Sequence, residues 1–340
     1  MLPPLTRPAS STEPFGRSVV ISNEMRDRSR PGREGRGPDG TRQLLWGIDL
    51  GGTKIEVAVI DPDTPAEPVG RLRVATESQR GYDHVVGRIR SAVDQLQDAT
   101  GLQRPRVIGV GTPGTTEPAT GLLKNSNTVC LNGRPLGADL SLALGVDARL
   151  ANDANCFALA EAVLGAARGR GVVMGLILGT GVGSGVVVHG RVLDGLHGIA
   201  GEWGHNPMRD EATPCYCGRA GCVETVISGP ALERFYEARR VESVSLPDIV
   251  RRAGGGDAHA DATLGRLVAK FGEAIAAVIN ILDPDAIVIG GGVGNVARLY
   301  GDETRAAILR HLFNPELRTE ILRPTLGDSA GVFGAALLAR

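Results

Sequence analysis

The sequence predicts an α/β protein made of two domains. Its 340 residues exceed the length that a single hydrophobic core usually serves. Glycine is abundant, at 48 residues, and aromatic residues make up 4%, as expected of strands that end in glycine-rich ligand loops. A strand–glycine turn–strand pattern also occurs twice, in residues 44–60 and in residues 172–190. One such hairpin in each half indicates an internally duplicated chain that holds a polyphosphate between its halves.

The first hairpin is the segment LLWGIDLGGTKIEVAVID, in which Asp49 ends the first strand. Its turn offers backbone N–H groups, a hydroxyl and an ammonium group to a phosphate. The turn consists of Gly51, Gly52, Thr53 and Lys54. It is not a Walker loop, because Lys54 follows a hairpin turn and does not open a helix. An ordinary structural hairpin is the alternative interpretation.

The second hairpin, VVMGLILGTGVGSGVVVHG, has the same design as the first. A strand runs into a glycine-rich turn that contains Thr180 and continues into a second strand. A single glycine-rich turn would be weak evidence for phosphate binding, and the pairing of two turns is what supports this interpretation.

Apolar periodicity predicts one helix from Gly81 to Thr100 and a second from Thr263 to Leu282. The second helix is assigned to the core or to a dimer interface. A strand is predicted from Val107. Its glycine–proline end and the polar residues 124–127 form the kind of loop that contacts a small ligand at the carboxyl edge of a sheet.

Two predicted elements lie near the C-terminus. A buried strand ends in Gly290-Gly291-Gly292, where bare backbone can lie against a nucleotide base or ribose. A plain strand-to-helix turn explains these glycines equally well. The last segment, GDSAGVFGAALLAR, predicts an N-capped helix of small residues that packs closely against a sheet.

Residues 205–222, here called the cysteine loop, contain a candidate metal site. Three of the five cysteines, Cys215, Cys217 and Cys222, fall within this segment, and His205 precedes the first of them by ten residues. Three thiolates and an imidazole form a closed tetrahedral zinc site of the structural kind. A loop with free, half-buried thiols is the alternative. Glu202 and Glu224 bracket the loop, so a metal that orders it would also hold both carboxylates ready for a polyhydroxyl ligand.

Asp153 is the candidate catalytic residue, within the segment Ala151-Asn152-Asp153-Ala154-Asn155 that opens a helix. An aspartate here can serve as a helix N-cap. It can also act as a general base that accepts the proton of an attacking hydroxyl. The helix N-terminus favours its ionised form, so it would orient the hydroxyl more than remove the proton early.

Composition excludes several classes of partner. A net charge of −1 gives no electrostatic argument for nucleic acid or an anionic membrane. The sequence contains no run of eighteen apolar residues that would span a bilayer. The odd number of clustered cysteines favours a reducing cytoplasm over a disulfide framework. Residues 1–43 are rich in Pro, Gly, Ser and Arg and are predicted to be a disordered tail.

From Leu44 to the C-terminus the chain resembles the ROK family of sugar kinases, within the actin-like ATPase superfamily. The motifs are DLGGTK at 49–54, ANDAN at 151–155, LGTGVGSG at 178–185, GIAGEWGH at 198–205, CYCGRAGC at 215–222 and GGG at 290–292. The segments KNSNTVCLNGRPL, AGEWGHNP and CYCGRAGCVETVISG are most similar to the bacterial fructokinase or mannokinase branch, and the N-acetylglucosamine kinase branch is close behind.

The resemblance implies a role for each matching residue. Asp153 would be the catalytic base, and the sugar would contact Asn127, Asn152, Asp153, Glu202, His205 and Glu224. Zinc would be held by His205, Cys215, Cys217 and Cys222. The ATP phosphates and magnesium would be surrounded by Asp49, Gly51, Gly52, Thr53, Lys54, Gly179, Thr180 and Gly181, and the adenosine by Gly291 and Gly292.

The resemblance further implies a two-domain actin-like (ribonuclease H-like) fold with its active site in the interdomain cleft. Residues 44–150 and the C-terminal helix 328–340 would form a small domain, and residues 151–327 a large one. The expected activity is ATP- and magnesium-dependent phosphorylation of the 6-hydroxyl of a hexose, with fructose first and mannose or glucose slower. A homodimer in the cytoplasm is expected.

Three alternatives to a fructokinase remain. The first two are an N-acetylglucosamine kinase and a glucokinase of the same family. Glucose is less favoured, because Asn125-Ser126-Asn127 replaces the Ser-Pro-Asn stretch, followed by Gly-Trp, of glucokinase-like members. The third is a sugar-sensing regulator without catalysis. The intact Asp153 and the absence of helical periodicity in residues 1–43, where ROK repressors carry a DNA-binding domain, argue against it.

Overall fold

Two mixed β-sheets carry the fold in a computed structural model of the chain, which describes residues 19–21, 43–64 and 67–340. The first sheet has the strand order β1-β4-β3-β2-β5-β8. A two-stranded hairpin, β6-β7, lies beyond the end of β5. The strands of this half are β1 Val19–Ile21, β2 Leu45–Leu50, β3 Lys54–Ile60, β4 Gly70–Ala75, β5 Val107–Thr112, β6 Thr115–Thr116, β7 Leu123–Lys124 and β8 Asp147–Asn152.

The second sheet repeats the plan of the first. Its strands are β9 Val172–Leu178, β10 Val182–Val188, β11 Arg191–Val192, β12 Ala286–Gly290 and β13 Glu320–Leu322, in the order β11-β10-β9-β12-β13. In each sheet the hairpin strands are antiparallel, and the first of them runs parallel to the next two strands, β5 and β8 or β12 and β13. The predicted duplication, with one hairpin per half, is therefore present in the topology.

Helices cover both sheets and fill the space between them. α1 and α2 accompany the first sheet, α4 to α9 follow the second hairpin, and α3 and α10 pack on each other between the sheets. α3 also packs on β9 and β10, while α10 packs on β2 and β5. The helices are α1 Tyr82–Thr100, α2 Leu136–Leu144, α3 Asp153–Val163, α4 Val223–Ile227, α5 Gly229–Arg240, α6 Leu246–Gly254, α7 Ala258–Leu282, α8 Gly291–Gly294, α9 Asp302–Leu309 and α10 Ala330–Leu337.

The close packing predicted for the C-terminal helix is present at α10. A Cβ atom on Gly334 would lie 1.7 Å from the backbone oxygen of Cys156 in α3. A Cβ atom on Gly109 of β5 would lie 1.7 Å from the backbone oxygen of Ala335. Glycine at these positions lets helix and sheet backbones touch, which explains the small-residue composition of the segment.

The first residue of a helix differs from the predicted one where a capping side chain sets the helix start. α7 begins at Ala258, five residues before the predicted Thr263, because the Asp257 side chain accepts hydrogen bonds from the backbone N–H groups of His259 (2.8 Å) and Ala260 (3.1 Å). The N-cap interpretation of Asp153 was wrong. Asn152 caps α3 by accepting a hydrogen bond from the Asn155 N–H at 2.7 Å, and Asp153 is the first helical residue.

The apolar stripe of α7 belongs to the core. Leu264, Phe271 and Ile275 are buried in a cluster with residues of β9 and β12. This stripe therefore gives no support to a dimer interface.

Most of the tail predicted for residues 1–43 lies outside the described residues. Residues 19–21 are an exception, because they form β1 and pair antiparallel with β4. None of the helices in the described ranges is long and apolar enough to cross a membrane.

Candidate active site and metal centre

The candidate site lies where parallel strands of the first sheet end and α3 begins. Asp49 is near the carboxyl end of β2, and Asn152 and Asp153 mark the junction of β8 and α3. β5 lies between these strands, and its Gly111 is next to Asp49, since a Cβ atom there would be in ordinary contact with Asp49 Oδ1 at 3.5 Å. The fold thus brings two carboxylates that are about a hundred positions apart to one edge of a sheet.

Asp49 lies near two other carboxylates and two basic side chains. Partial burial, and then the neighbouring Asp153 and Glu56 carboxylates, raise the pKa of Asp49 to about 6, against the opposing effect of Lys54 and Arg73. A carboxylate held in this way gains from a nearby cation. Carboxylate oxygens such as those of Asp49 suit a hard cation such as magnesium.

The Asp153 side chain is solvent-accessible, while the surrounding protein partly desolvates the carboxyl group. This desolvation raises the pKa of Asp153, and the N–H of Ala154, which donates to Oδ1 at 2.8 Å, lowers it in part. A raised pKa makes Asp153 a stronger base than an ordinary aspartate.

The first glycine turn is held by residues that the sequence did not single out. Thr76 donates its hydroxyl to the Gly51 oxygen at 2.7 Å and its N–H to the Thr53 oxygen at 3.0 Å. Ser78 donates its hydroxyl to the Gly52 oxygen at 3.2 Å. The turn carbonyls are therefore engaged on the β4 side.

Lys54, at the end of this turn, lies 3.9 Å from the buried Glu56 carboxylate. Glu56 also pairs with Arg71 (2.5 Å) and Arg73 (2.7 Å) on β4. Burial raises the pKa of Glu56, and the hydrogen bond from Arg73 lowers it. One buried carboxylate thus gathers three cations beside the turn, a cluster that strand alternation alone does not reveal.

The second glycine turn is connected to the end of the cysteine loop. The Val182 N–H donates to Glu224 Oε2 at 2.8 Å, and a Cβ atom on Gly181 would lie 2.6 Å from the same oxygen. Gly179 accepts a hydrogen bond from the N–H of Gly229 at 2.8 Å. The fold thereby joins a residue predicted to contact the sugar, Glu224, to the turn that contains Thr180.

Glu202, His205 and Glu224 share one electrostatic environment with Asp153. Desolvation raises the pKa of Glu202, His205 lowers it, and Asp153 and Glu224 raise it further. A short 3-10 turn, Trp203–His205, positions two of these side chains. Trp203 anchors the turn on α7, since it packs edge-to-face on Phe271 and donates its indole N–H to the Ala274 oxygen at 3.3 Å.

Asn127 is exposed on the loop that follows β7. Asn132 shapes this loop, because its Oδ1 accepts the Ser126 N–H at 2.8 Å and its Nδ2 donates to the Ser126 oxygen at 2.9 Å. The loop approaches the first glycine turn, where a Cβ atom on Gly52 would lie 3.3 Å from the Thr128 hydroxyl.

Gly291 and Gly292 occupy a strand-to-helix turn between β12 and α8. Gly291 has φ +82°, and a Cβ atom there would lie 2.4 Å from the Leu178 oxygen, so packing alone requires glycine. Gly292 is exposed, with open space around it among the residues that the structure describes. Backbone at Gly292 is therefore free to face a ligand.

The four predicted zinc ligands come together. Their ligand atoms all lie within 4.8 Å of one another. Nδ1 of His205 is 3.6 Å from Cys215 Sγ, and Cys217 Sγ is 3.6 Å from Cys222 Sγ. Ligands about 2.3 Å from a tetrahedral zinc ion are about 3.8 Å apart, so this set fits zinc in both chemistry and spacing.

Comparisons with known proteins agree with this geometry. The chain matches the ROK family model over residues 45–340. An N-acetyl-D-glucosamine kinase of Pectobacterium atrosepticum is 36% identical over 305 residues, which cover 87% of this chain and 98% of the relative.

Two solved structures have the same fold. A ROK hexokinase from Thermus thermophilus is 34% identical, with a TM-score of 0.78 over 87% of this chain and 98% of that one. A ROK family glucokinase from Streptomyces griseus, solved with glucose and AMPPNP, is 28% identical, with a TM-score of 0.70 over 88% of this chain and 99% of that one.

These matches span both sheets and the cysteine loop. They confirm the actin-like α/β fold and the ROK sugar kinase resemblance that the motifs predicted, and sugar kinases are the enzyme class of the curated relatives. The chain belongs to the ROK family.

Proposed function

We propose that this protein is an ATP-dependent kinase that transfers the γ-phosphoryl group to the 6-hydroxyl of N-acetyl-D-glucosamine. The named activity of the Pectobacterium relative, which aligns along nearly its whole length, supports this sugar over fructose, the first expectation from the sequence. The single observation that carries the kinase assignment is the meeting of Asp49, Asp153, Glu202 and Glu224 between the two glycine turns.

In this proposal Asp153 is the general base. Its carboxylate is solvent-accessible and has a raised pKa, so it accepts a hydrogen bond from the sugar hydroxyl and takes its proton as the new P–O bond forms. Asn127, Asn152, Glu202, His205 and Glu224 hold the remaining sugar oxygens. Positioning of the hydroxyl, more than covalent chemistry, accounts for the rate.

The two glycine turns would face the donor. Asp49 and the turns Gly51–Lys54 and 179–181 surround the phosphates and magnesium, and Gly291 and Gly292 lie against the adenosine. Asp49, with the neighbouring Asp153 carboxylate, would hold magnesium, which when bound would supply positive charge to the phosphate oxygens.

We also propose that the cysteine loop binds structural zinc through His205 Nδ1 and the thiolates of Cys215, Cys217 and Cys222. Zinc would order the loop and thereby fix Glu202 and Glu224. Protein purified without chelator is expected to contain about one zinc per chain, and Cys217→Ser to contain less and to melt at a lower temperature. Wild-type protein free of zinc would refute this proposal.

A substrate panel tests the proposed activity. ADP release would be measured with ATP and magnesium against N-acetylglucosamine, fructose, mannose and glucose at matched concentrations, with Asp153→Asn as the control for contaminating kinases. The highest kcat/KM is expected with N-acetylglucosamine. A higher value with another sugar would reassign the substrate, and no turnover with any of them, alongside thermal stabilisation by a sugar, would support a sensor.

We also propose that the protein is a homodimer in the cytoplasm. Light scattering coupled to size-exclusion chromatography would give the mass in solution, and a monomer mass of 35.5 kDa would contradict the dimer.

A further inference from the structure

Glu77 has a left-handed backbone, with φ 54° and ψ 42°. This conformation brings the Cβ atom of an L-residue close to its own backbone, so proteins usually leave it to glycine, asparagine or aspartate. A glutamate here is therefore strained, and strained residues cluster where the backbone serves a ligand. Glu77 lies in the connection between β4 and α1.

The residues on either side of Glu77 hold the carbonyl groups of the first glycine turn. The hydroxyl of Thr76 donates to the Gly51 oxygen, and that of Ser78 donates to the Gly52 oxygen. In an extended chain, Cα atoms two positions apart are separated by about 6.6 Å, whereas those of adjacent residues are about 3.8 Å apart. A bend at Glu77 shortens the first distance, so that both hydroxyls reach successive carbonyls.

Holding these carbonyls also directs the N–H groups of the turn. In a trans peptide, the N–H of one residue points opposite to the carbonyl of the residue before it. Since both carbonyls face the bend, the N–H groups of Gly52 and Thr53 face away from it. Both residues are exposed, and neither N–H has a hydrogen-bond partner among the residues that the structure describes. Two such groups in succession suit a phosphate oxygen.

The Glu77 side chain is held by α1. Its Oε2 accepts hydrogen bonds from His84 Nε2 at 2.7 Å and from Arg80 Nη1 at 3.3 Å. The His84 bond is the main cause that lowers the pKa of Glu77, so the carboxyl group is ionised and Nε2–H of His84 donates to it. One helical turn further along α1, Arg88 donates through Nε and Nη2 to the Ala75 oxygen, both at 3.1 Å. α1 therefore contacts the bend at two points.

A plain strand-to-helix connection would not need a glutamate at this position. The same connection ends at Gly81, which also has a positive φ, of 94°, and whose Cβ position is open space within the described part of the chain. Glycine meets the backbone requirement there without strain. At residue 77 the chain keeps a side chain, and the contacts of that side chain account for the difference.

We infer that Glu77, together with His84, is a positioning residue for the turn that binds the donor phosphates. Their contact fixes the bend, the bend fixes the carbonyls of Gly51 and Gly52, and the carbonyls direct the N–H groups toward the donor. Neither side chain is assigned a contact with nucleotide or sugar, so the effect is on nucleotide binding and not on the reacting atoms. This inference rests on the proposed function, because that proposal assigns the nucleotide phosphates to the first glycine turn.

Four variants and a control test the inference. Glu77→Ala removes the carboxylate but keeps the strain, and Glu77→Gly removes both. His84→Ala removes the partner, alone and in combination with Glu77→Ala. Glu242→Ala is the matched control, because it removes an exposed carboxylate after α5 that accepts two hydrogen bonds from Arg252, at 2.7 and 2.8 Å. Calorimetry would measure binding of the ATP analogue AMPPNP with magnesium in the absence of sugar, and binding of sugar in the absence of nucleotide.

We expect Glu77→Ala to weaken nucleotide binding about 10-fold, as for the loss of a hydrogen bond to a charged group, and to leave sugar affinity within about 2-fold. Glu77→Gly should weaken nucleotide binding by only about 2- to 4-fold, because glycine adopts the left-handed conformation readily. Glu242→Ala should bind both ligands as the wild type does. Unchanged nucleotide affinity in Glu77→Ala, equal losses for nucleotide and sugar, or a larger loss in Glu77→Gly than in Glu77→Ala would overturn the inference.

The double variant tests whether His84 acts through Glu77. If the two side chains act through one contact, the double variant should bind nucleotide no more weakly than Glu77→Ala alone. Losses that add would show that His84 acts elsewhere and would overturn its part in the inference.

Failure of the proposed function would be visible in the wild type. If the wild type binds no AMPPNP with magnesium, the donor assignment of the turn is wrong and the inference falls with it. If the wild type binds the analogue and the Glu77 variants match it, the proposed function stands and the positioning role of Glu77 alone is overturned.

Discussion

Asp153 is the residue on which the proposed chemistry depends, and its surroundings decide how it can act. The sequence offered two roles, helix cap and general base. The structure assigns the cap to Asn152, which leaves the Asp153 carboxylate solvent-accessible and with a raised pKa. The sequence could not distinguish the cap from the general base, because an aspartate within one position of the helix start can serve as either.

Replacing Asp153 tests the base assignment. Asp153→Asn should lower kcat about 10²- to 10⁴-fold, because the amide keeps the shape but cannot accept the proton. Sugar affinity by calorimetry should stay near that of the wild type. In the wild type, the acid limb of kcat/KM should lie at a higher pH than an ordinary aspartate gives, since the base acts only when ionised and burial raises its pKa. Near-normal turnover of the variant would remove Asp153 from this role.

Asp49 gives a prediction about stability. Its pKa rises from 3.8 to about 6 on folding, so the folded state binds the proton more tightly than the unfolded state. Ionisation of Asp49 therefore costs stability progressively between pH 3.8 and 6, up to about 3 kcal/mol above pH 6. Asp49→Asn removes this cost. It should raise the free energy of unfolding at pH 7.5, and by clearly less at pH 4.5.

Urea unfolding of ligand-free protein at both pH values measures this difference. Asp98→Asn, on the exposed surface of α1, is the control and should change stability by less than about 0.5 kcal/mol. A destabilised Asp49→Asn at pH 7.5 would contradict the electrostatic account. The same variant should also lose activity, because Asp49 is proposed to surround the phosphates and magnesium. A gain in stability with a loss of activity is common at functional residues.

At the scale of elements, α10 depends on glycine for its contact with α3. Gly334→Ala would place a methyl group 1.7 Å from the Cys156 backbone oxygen, which cannot rotate away, so the helices must separate. We expect a loss of about 3 kcal/mol or failure to fold. Gly265→Ala is the control, in the interior of α7 with open space at its Cβ within the described part of the chain. It should stabilise by up to about 1 kcal/mol in urea unfolding.

Comparable destabilisation by both substitutions would show that close helix packing is not the cause. The sequence predicted a small-residue helix packed against a sheet, but not its contact with α3. The contact involves residues almost two hundred positions apart, and apolar periodicity carries no information about which element covers a face.

The two glycine turns likewise combine a pattern visible in the sequence with contacts that only the structure shows. Both were recognisable from sequence as strand–glycine–strand hairpins. Their supports differ, with Thr76 and Ser78 on the first turn and Glu224 on the second. The duplication therefore preserved the hairpins, while the residues that fix each turn come from elements outside the repeated pattern.

At the scale of the whole molecule, two hydrogen bonds join the halves near the residues proposed to bind the sugar. Lys124 at the end of β7 donates to the His197 oxygen at 2.9 Å, and Thr115 donates its hydroxyl to the Gly198 oxygen at 2.8 Å. The segments involved lead directly into Asn127 in one half and Glu202 in the other. These bonds should influence how the halves close on the sugar.

Lys124→Met tests this coupling. It keeps the length of the side chain but removes both the bond to the His197 oxygen and the ion pair with Glu117. We expect sugar KM to rise several-fold, while stability changes by less than about 1 kcal/mol, because the pair lies near the surface. Glu117→Gln removes the ion pair alone and should leave KM closer to the wild-type value. Equal KM for both variants would exclude a role for the cross-cleft bond.

The sequence alone determined what is local. Strand alternation, helix periodicity and glycine turns depend on neighbours within a few positions, and the spacing of His205 and the three cysteines restricts their ligand chemistry. The α/β class, the duplicated hairpins, the family and the chemical types of the site residues followed from these patterns. Tertiary structure decided which distant groups meet: Glu224 with the second turn, Asp49 with Asp153, and α10 with α3. These contacts, and the pKa values they set, depend on how the whole chain packs, because burial and electrostatic interaction are properties of distance in space and not of distance along the chain.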